Sequence, residues 1–321
     1  MVRRGLSAFL VSVFAWMGLP SAAPAADVYP SQPIKIIVAA AAGGPLDLVA
    51  RAVADKLAVN LKQSVVVESR SGAGGNIAAD FVSKSAPDGY TLLLVLSTTL
   101  TVNPHMQKGI SFTLKPISIL NYSTQMVVVH PSLPVKTLAE FVDWAKKNGP
   151  VTYGHAGNGT PAHLAMEYFR LLAGFNTVPV PYRGAAPMSA DLLAGQFKAA
   201  FGSLSQMLPL VADGRLHALA VSTIKRSPLA PDVPTVAESG YPGFDLSTDF
   251  VLMAPEGTPD EITTLLQREV RKVLLMDDVQ ERLRKQDIWV VGSTPQEAAA
   301  RIKAGSELWK DVVQRAEMTA N

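Results

Sequence analysis

Apolar residues recur along this 321-residue chain in two alternating patterns, and the switches between them lay out an α/β protein. Ile34 to Ala40 is a run of β-branched and small apolar residues behind Pro33, which predicts a buried strand. After Gly43-Gly44 the period changes. Val49, Val53, Leu57 and Leu61 recur every four residues, the spacing of one helix face. Val65-Val66-Val67 predicts a second strand, Gly72-Ala73-Gly74-Gly75 a turn, and Asn76 to about Ser85 a helix. Pro87-Asp88-Gly89 makes a tight turn into a third strand, Thr91 to Leu96. Strand and helix in alternation predict a mainly parallel sheet covered by helices.

A second set begins at Met126–Val129. Its helices are expected over Thr137–Lys147, Pro161–Ala173, Pro187–Leu193 and Ser205–Ala212. Its strands are expected over Val151–Tyr153, Thr177–Val180, Lys198–Phe201 and Leu216–Val221. A Pro- and Gly-rich loop, Ser227 to Gly243, precedes a strand at Val251–Ala254. The tail from Pro259 reads as mostly helix, with a short strand at Trp289–Val291 and a long helix after Pro295. Two similar sets and a helical tail predict two lobes.

The first 25 residues follow neither pattern. Arg3 and Arg4 form a basic head, Leu6 to Leu19 is apolar, Pro20 ends the run, and Ala23 and Ala25 are small residues suited to a cleavage site. This is the layout of a secretory signal peptide. The apolar run is shorter than the roughly 20 residues that span a bilayer. Without Arg3 and Arg4, the 29 basic and 27 acidic residues become 27 and 27, which gives a polyanion such as nucleic acid no electrostatic grip. The chain has no cysteine, so thiolate chemistry and disulfides are excluded.

Two loops can carry chemistry. Ala39 to Asp47 joins a strand to a helix, and glycines there let a ligand approach the backbone. Gly154 to Pro161 does the same in the second set, with Thr160 as expected N-cap and Pro161 in the first turn. Unpaired amides and the helix dipole at both helix starts favour an anion. If the two loops belong to different lobes, they grip one anion from two sides. Taken alone, each loop reads more readily as a tight strand-to-helix turn.

The enzyme motifs fail. Gly72-Ala73-Gly74-Gly75-Asn76-Ile77 lacks the last glycine of a dinucleotide fingerprint, and neither a P-loop nor a Gly-x-Ser-x-Gly elbow occurs. The five histidines include no His-Glu-x-x-His pair, and His163 reads as a hydrogen-bonding or capping residue. No catalytic residue, metal ligand or cofactor is expected. Asp47 either favours its helix dipole or organises the loop. Arg183 either pairs with an acidic ligand or anchors its own loop. Asp249 either is a solvated acid or faces the cleft.

Several segments, in order, carry a resemblance. They are Tyr29-Pro30-x-x-Pro33-Ile34, Ala42-Gly43-Gly44-x-x-Asp47, Gly72 to Ile77, and Ala86-Pro87-Asp88-Gly89-Tyr90-Thr91-Leu92. They continue with Tyr153-Gly154-x-Ala156-Gly157-Asn158-Gly159-Thr160-Pro161-x-His163-Leu164, Val180-Pro181-Tyr182-Arg183-Gly184, and the stretch from Ala220 to Glu238. From about Tyr29 to its end the chain resembles the substrate-binding proteins of tripartite tricarboxylate transporters, the Bug or TctC-like family.

The resemblance implies a type II periplasmic-binding-protein fold: two Rossmann-like lobes with a ligand cleft between them. The expected division is a signal peptide over 1–25, lobe 1 over 26–124 plus 249–321, and lobe 2 over 125–248. Crossings are expected near Ser123–Met126 and Leu246–Phe250, with the C-terminal helices packed on lobe 1. The implied function is capture of a small organic carboxylate in the periplasm for an inner-membrane permease, by a protein that is a monomer. A ligand-loaded partner of a membrane sensor kinase is the alternative, and a periplasmic α/β enzyme a third. The ligand-binding residues expected in lobe 1 are Ala42, Gly43, Gly44, Pro45 and Asp47, with Ser97, Thr98 and Asp249. In lobe 2 they are Gly157, Asn158, Gly159, Thr160 and His163, with Arg183 and Ser203.

The chain departs from the family pattern at Leu46, where a hydroxyl is usual. It departs again at Gly202-Ser203, where Asp-Asn is usual, and at Asp249, where an aromatic residue is usual.

Overall fold

The computed structural model describes residues 29–319, so the signal peptide expected over 1–25 lies outside the described residues. The first set comprises β1 (Ile34–Val38), α1 (Pro45–Leu61), β2 (Val65–Ser69), α2 (Asn76–Ser83), β3 (Thr91–Leu96) and two short helices, α3 (Ser97–Thr101) and α4 (Asn103–Met106). Next comes a long strand, β4 (Leu114–Val129). The second set comprises α5 (Leu138–Asn148), β5 (Val151–His155), α6 (Pro161–Ala173), β6 (Thr177–Pro181), α7 (Ala185–Leu193), β7 (Ala199–Ser203), α8 (Leu204–Ala212) and β8 (His217–Val221). The chain finishes with β9 (Ser247–Pro255), α9 (Asp260–Leu274), α10 (Asp277–Arg284), β10 (Ile288–Val290) and α11 (Pro295–Arg315). None of these helices is long and apolar enough to cross a membrane.

Each set forms its own sheet. In the first, β1 pairs in parallel with β2 and β3, and β9 runs antiparallel to β3. In the second, β5 pairs in parallel with β6 and β7. β4 belongs to both sheets. Its residues up to Thr124 pair with β9, and those from Gln125 pair with β7. β9 starts where this exchange occurs, with Ser247 opposite Thr124. The result is the two-lobed type II periplasmic-binding-protein architecture.

Sequence patterning misses the first half of β4 because Pro116 interrupts Leu114 to Leu120. The register against β9 shifts at Pro116 and again at Ile119, so the proline sits at an irregularity where no ladder amide is required.

The cores follow the sheets. Ile34, Ile36, Val38 and Leu92 pack under α1 and α9, while Ile37, Leu93 and Val95 pack under α2 on the other face. Phe141, Tyr153, Phe169 and Phe201 fill the second lobe beneath α5 and α6. The last helix is shared between lobes. Ala298 joins the first lobe's core, whereas Trp309, Val312 and Val313 join the second's. Packing of the C-terminal helices on lobe 1 alone therefore holds for α9, α10 and the start of α11. The long helix extends past the end of the first sheet, and its apolar residues are buried against whatever lies beneath.

Candidate functional site

Strand register brings the two candidate loops to one seam. Leu96, the last residue of β3, lies opposite Phe250, which lies opposite Asn121 on β4. Ser203, the last residue of β7, lies opposite Gln125 on the same strand. Asn121 and Gln125 are about 13 Å apart, at about 3.3 Å per residue. β3 runs with β4 and β7 runs against it, so their C-terminal ends point at one another. β1 is parallel to β3, and β5 is parallel to β7. The turns that leave β1 and β5 therefore open on this seam from opposite lobes.

The first turn is organised by Asp47. Its buried carboxylate accepts hydrogen bonds from the Gly43 amide (2.9 Å), the Arg51 Nε (2.9 Å) and the Ser69 hydroxyl (3.4 Å). The Arg51 hydrogen bond, foremost, holds the Asp47 carboxyl below the usual carboxylate range. Ala42, Gly43 and Pro45 are exposed, and Gly43 adopts a φ of 83°. Leu46 points into the core at 3% exposure, so the usual hydroxyl position is taken up by packing.

The second loop is organised by His163. Its Nδ1 accepts the Gly159 amide at 3.1 Å, as expected of a hydrogen-bonding residue. Its ring stacks on His155 with centroids 4.1 Å apart and planes 10° from parallel. Burial, then the neighbouring His155 and Arg170, push His163 down to about 3, and burial also lowers His155. Both imidazoles are neutral at pH 7. Thr160 occupies the N-cap position of α6, but its hydroxyl donates to the Gly157 carbonyl at 2.7 Å instead of capping the helix.

The amides of Gly43 and Gly159 are thus spent within their own loops. The donors left to a ligand are the first-turn amides that precede the first helical bonds, Leu48 to Gly44 in α1 and Leu164 to Thr160 in α6. These are the amides of Leu46, Asp47, Ala162 and His163.

Arg183 follows β6, beside the second loop, and Tyr182 is fixed there by its amide to the His155 carbonyl and its hydroxyl to Asp191. Arg183 itself is exposed and forms no ion pair among the described residues, so it does not anchor its loop. Ser203 is half-buried at the N-cap of α8. A Cβ at Gly202 would lie 2.6 Å from Met207 Cε, so methionine fills the space of the usual acidic side chain. Ser97 and Thr98 are half-buried at the start of α3.

Asp249 is neither solvated nor free in the cleft. It is 5% exposed and bound by Arg301 through two hydrogen bonds, Nε to Oδ2 at 2.7 Å and Nη2 to Oδ1 at 2.8 Å. Burial raises its carboxyl, and Arg301 opposes the shift.

The structure divides the expected set among different spaces. Asn158 and His163 line a cavity of about 240 Å³, and Ser97 and Asp249 line another of about 230 Å³. None of the five cavities delineated among the described residues has residues 42–47 in its wall.

Sequence patterning misses α4. Asn103 donates to the Gly74 carbonyl (3.1 Å) and to Asn76 Oδ1 (2.6 Å), and a Cβ at Gly159 would lie 3.5 Å from Met106 Sδ. This short helix therefore carries the first lobe's glycine turn up to the second lobe's loop. Its one sequence signal is Asn103-Pro104, a helix-start pair.

Known proteins share this fold. The family model described as tripartite tricarboxylate transporter family receptor matches residues 49–318. Protein BugT of Bordetella pertussis (strain Tohama I) is 37% identical over 300 residues, covering 91% of this chain and 92% of that protein. The solved structure of R. palustris Rpa4515 with adipate is 31% identical with a TM-score of 0.79, covering 91% of this chain and 99% of that one. MatC from Rhodopseudomonas palustris with bound malate is 28% identical with a TM-score of 0.74, covering 89% and 100%. With the fold, the seam and these similarities together, the chain belongs to the tripartite tricarboxylate transporter receptor family, the Bug or TctC-like solute-binding proteins.

Proposed function

We propose that this protein is a periplasmic receptor that captures a small organic carboxylate between its lobes and delivers it to an inner-membrane permease of the tripartite type. One observation carries the reading: the register of β4 against β9 and β7 aims the starts of α1 and α6 at a common seam. Beside that seam stands Arg183, an exposed guanidinium without an ion pair among the described residues. Adipate and malate, bound to the two R. palustris relatives, are both carboxylates.

In this reading the ligand's carboxylate meets the first-turn amides of both helices. Ala42, Gly44, Pro45, Gly157, Asn158, Thr160, Ser97, Thr98 and Ser203 border it. The carboxylates of Asp47 and Asp249 and Nδ1 of His163 shape the site without touching the ligand, since these atoms already accept hydrogen bonds within the fold. Residues 26–124 with 249–321, and residues 125–248, move as the two lobes. A monomer suffices, because one chain supplies both loops. Helix-end donors contribute roughly 0.3–1 kcal/mol each, up to about 2 when partly buried. Micromolar affinity needs about 8 kcal/mol, so several donors and lobe closure must act together.

A thermal-shift screen of mono-, di- and tricarboxylates against sugars and amines tests the reading. The expected result is a saturable rise in Tm with one or a few carboxylates, and ligand recovered unchanged. A panel in which only sugars or amines raise Tm sinks the anion site. Turnover of the ligand sinks the receptor role.

A further inference from the structure

Among the described residues, few buried polar side-chain atoms lack a hydrogen-bond partner. They are both carboxamide atoms of Asn121, both ring nitrogens of His155, and Nδ1 of His217. Asn121 is 0% exposed and lies on β4 within the seam, between the strand ends marked by Leu96 and Ser203.

Two features show which way it faces. Residues directly opposite in a ladder share a sheet face, and Asn121 lies opposite Phe250 and Val290. Those two belong to the cluster that includes Ala39, Ala40 and Leu96, the residues leading into the first glycine turn and into α3. The register of β4 also shifts between Ile119 and Asn121. Irregularities of this kind re-aim a side chain and are common beside functional sites.

A buried carboxamide with no partner destabilises a fold, whereas an apolar side chain of the same size in the same place does not. The fold nonetheless keeps a donor and an acceptor here, under the ligand seam. We infer that Asn121 is a specificity-determining residue that reads an uncharged hydroxyl group on the bound carboxylate. This rests on the receptor reading above. Nδ2 donates to the hydroxyl oxygen, and Oδ1 accepts the hydroxyl proton. A second carboxylate would satisfy Nδ2 but face the Oδ1 lone pairs, and a methylene would satisfy neither atom. Asn121 is inaccessible in this conformation, so the ligand reaches it when the lobes turn about residues 121–125.

The test compares malate with succinate, which differ by one hydroxyl, on the full mature chain and on Asn121→Leu. Wild type is expected to bind malate at least about tenfold tighter than succinate. Asn121→Leu is expected to melt higher without ligand, to lose that preference, and to bind succinate as wild type does. An Asn121→Leu protein that keeps the malate preference overturns the inference. So does one that melts lower while still folded, because the carboxamide is then satisfied within the fold. Should leucine prevent folding, Asn121→Ala tests the same preference. A wild type that binds both acids equally overturns the hydroxyl inference and leaves the receptor reading standing. A wild type that binds no member of the wider carboxylate panel sinks both.

Discussion

In the first lobe a charge ties down the glycine turn, while in the second a neutral ring does so. Both turns use the same local plan: a glycine amide donates to the side chain four residues on, Gly43 to Asp47 and Gly159 to His163. Asp47 is an ionised acceptor braced by Arg51, whose side chain is half exposed, so salt screens part of the bracing. His163 is an uncharged acceptor buried against His155, so salt leaves it alone and acid does not. The two turns therefore answer to different solution conditions.

The largest expected effect breaks the comparison at its functional end. Gly44 has an ordinary extended conformation (φ −79°), and a Cβ there would meet only the Ala41 carbonyl oxygen at 3.5 Å. Gly44→Val should therefore fold normally but block ligand approach, weakening affinity by about 100-fold, or about 2.7 kcal/mol. Calorimetric titration checks this, and normal affinity would reduce the first turn to a connection.

Next in size is Asp47→Ala. It leaves the Gly43 amide and Arg51 without their buried acceptor and should cost about 2 kcal/mol in denaturant unfolding. The cost should shrink in high salt, and a cost independent of salt would mean that the charge does not matter.

Acid probes the other turn. Burial depresses the folded His163 pKa to about 3, below an unfolded value of about 6.5. Between these values the unfolded chain binds the proton and the native chain does not. The contribution is therefore complete above pH 6.5 and is lost as pH falls towards 3. At pH 5 the loss should reach about 2 kcal/mol, before Asp47, whose pKa is lowered, begins to titrate. Melting curves of wild type and His163→Gln from pH 7.5 to 5 measure it. Equal slopes would show that His163 is charged in the fold.

The smallest effect sharpens the second loop alone. Thr160→Val removes the hydroxyl that donates to the Gly157 carbonyl and should cost about 1 kcal/mol in unfolding, with Pro161 still starting the helix. A larger loss would mean that Thr160 also caps α6.

Much of the fold was legible because burial leaves a period in the chain. The four-residue spacing of Val49, Val53 and Leu57 marks the face of α1 that packs on the sheet, and Thr91–Leu96 is bounded as β3 is. The segments that resist such reading are those with no free choice of partner. Residues 97–106 form two helices of five and four residues, too short to show a period. The strand half before Asn121 contains a proline and two irregularities.

The candidate site divides the same way. Gly43, Gly157 and Asp47 were visible as turn and helix-start residues, since glycine and first-turn acids are local necessities. Arg301 as the partner of Asp249 was not visible, because 52 residues separate them. Nor was the role of Asn103, which lies 29 residues from Gly74 and joins a segment without pattern.

By itself the sequence determined the α/β class, the two glycine-bearing turns, the near balance of basic and acidic residues, and the family resemblance. Each is a property of short segments or of composition. Only the tertiary structure decided which amides are spent inside their own loops and that Asp249 has an ion pair while, among the described residues, Arg183 has none and the buried Asn121 has no partner. Those outcomes depend on distances between residues far apart in the chain, and strand register, not local propensity, sets those distances.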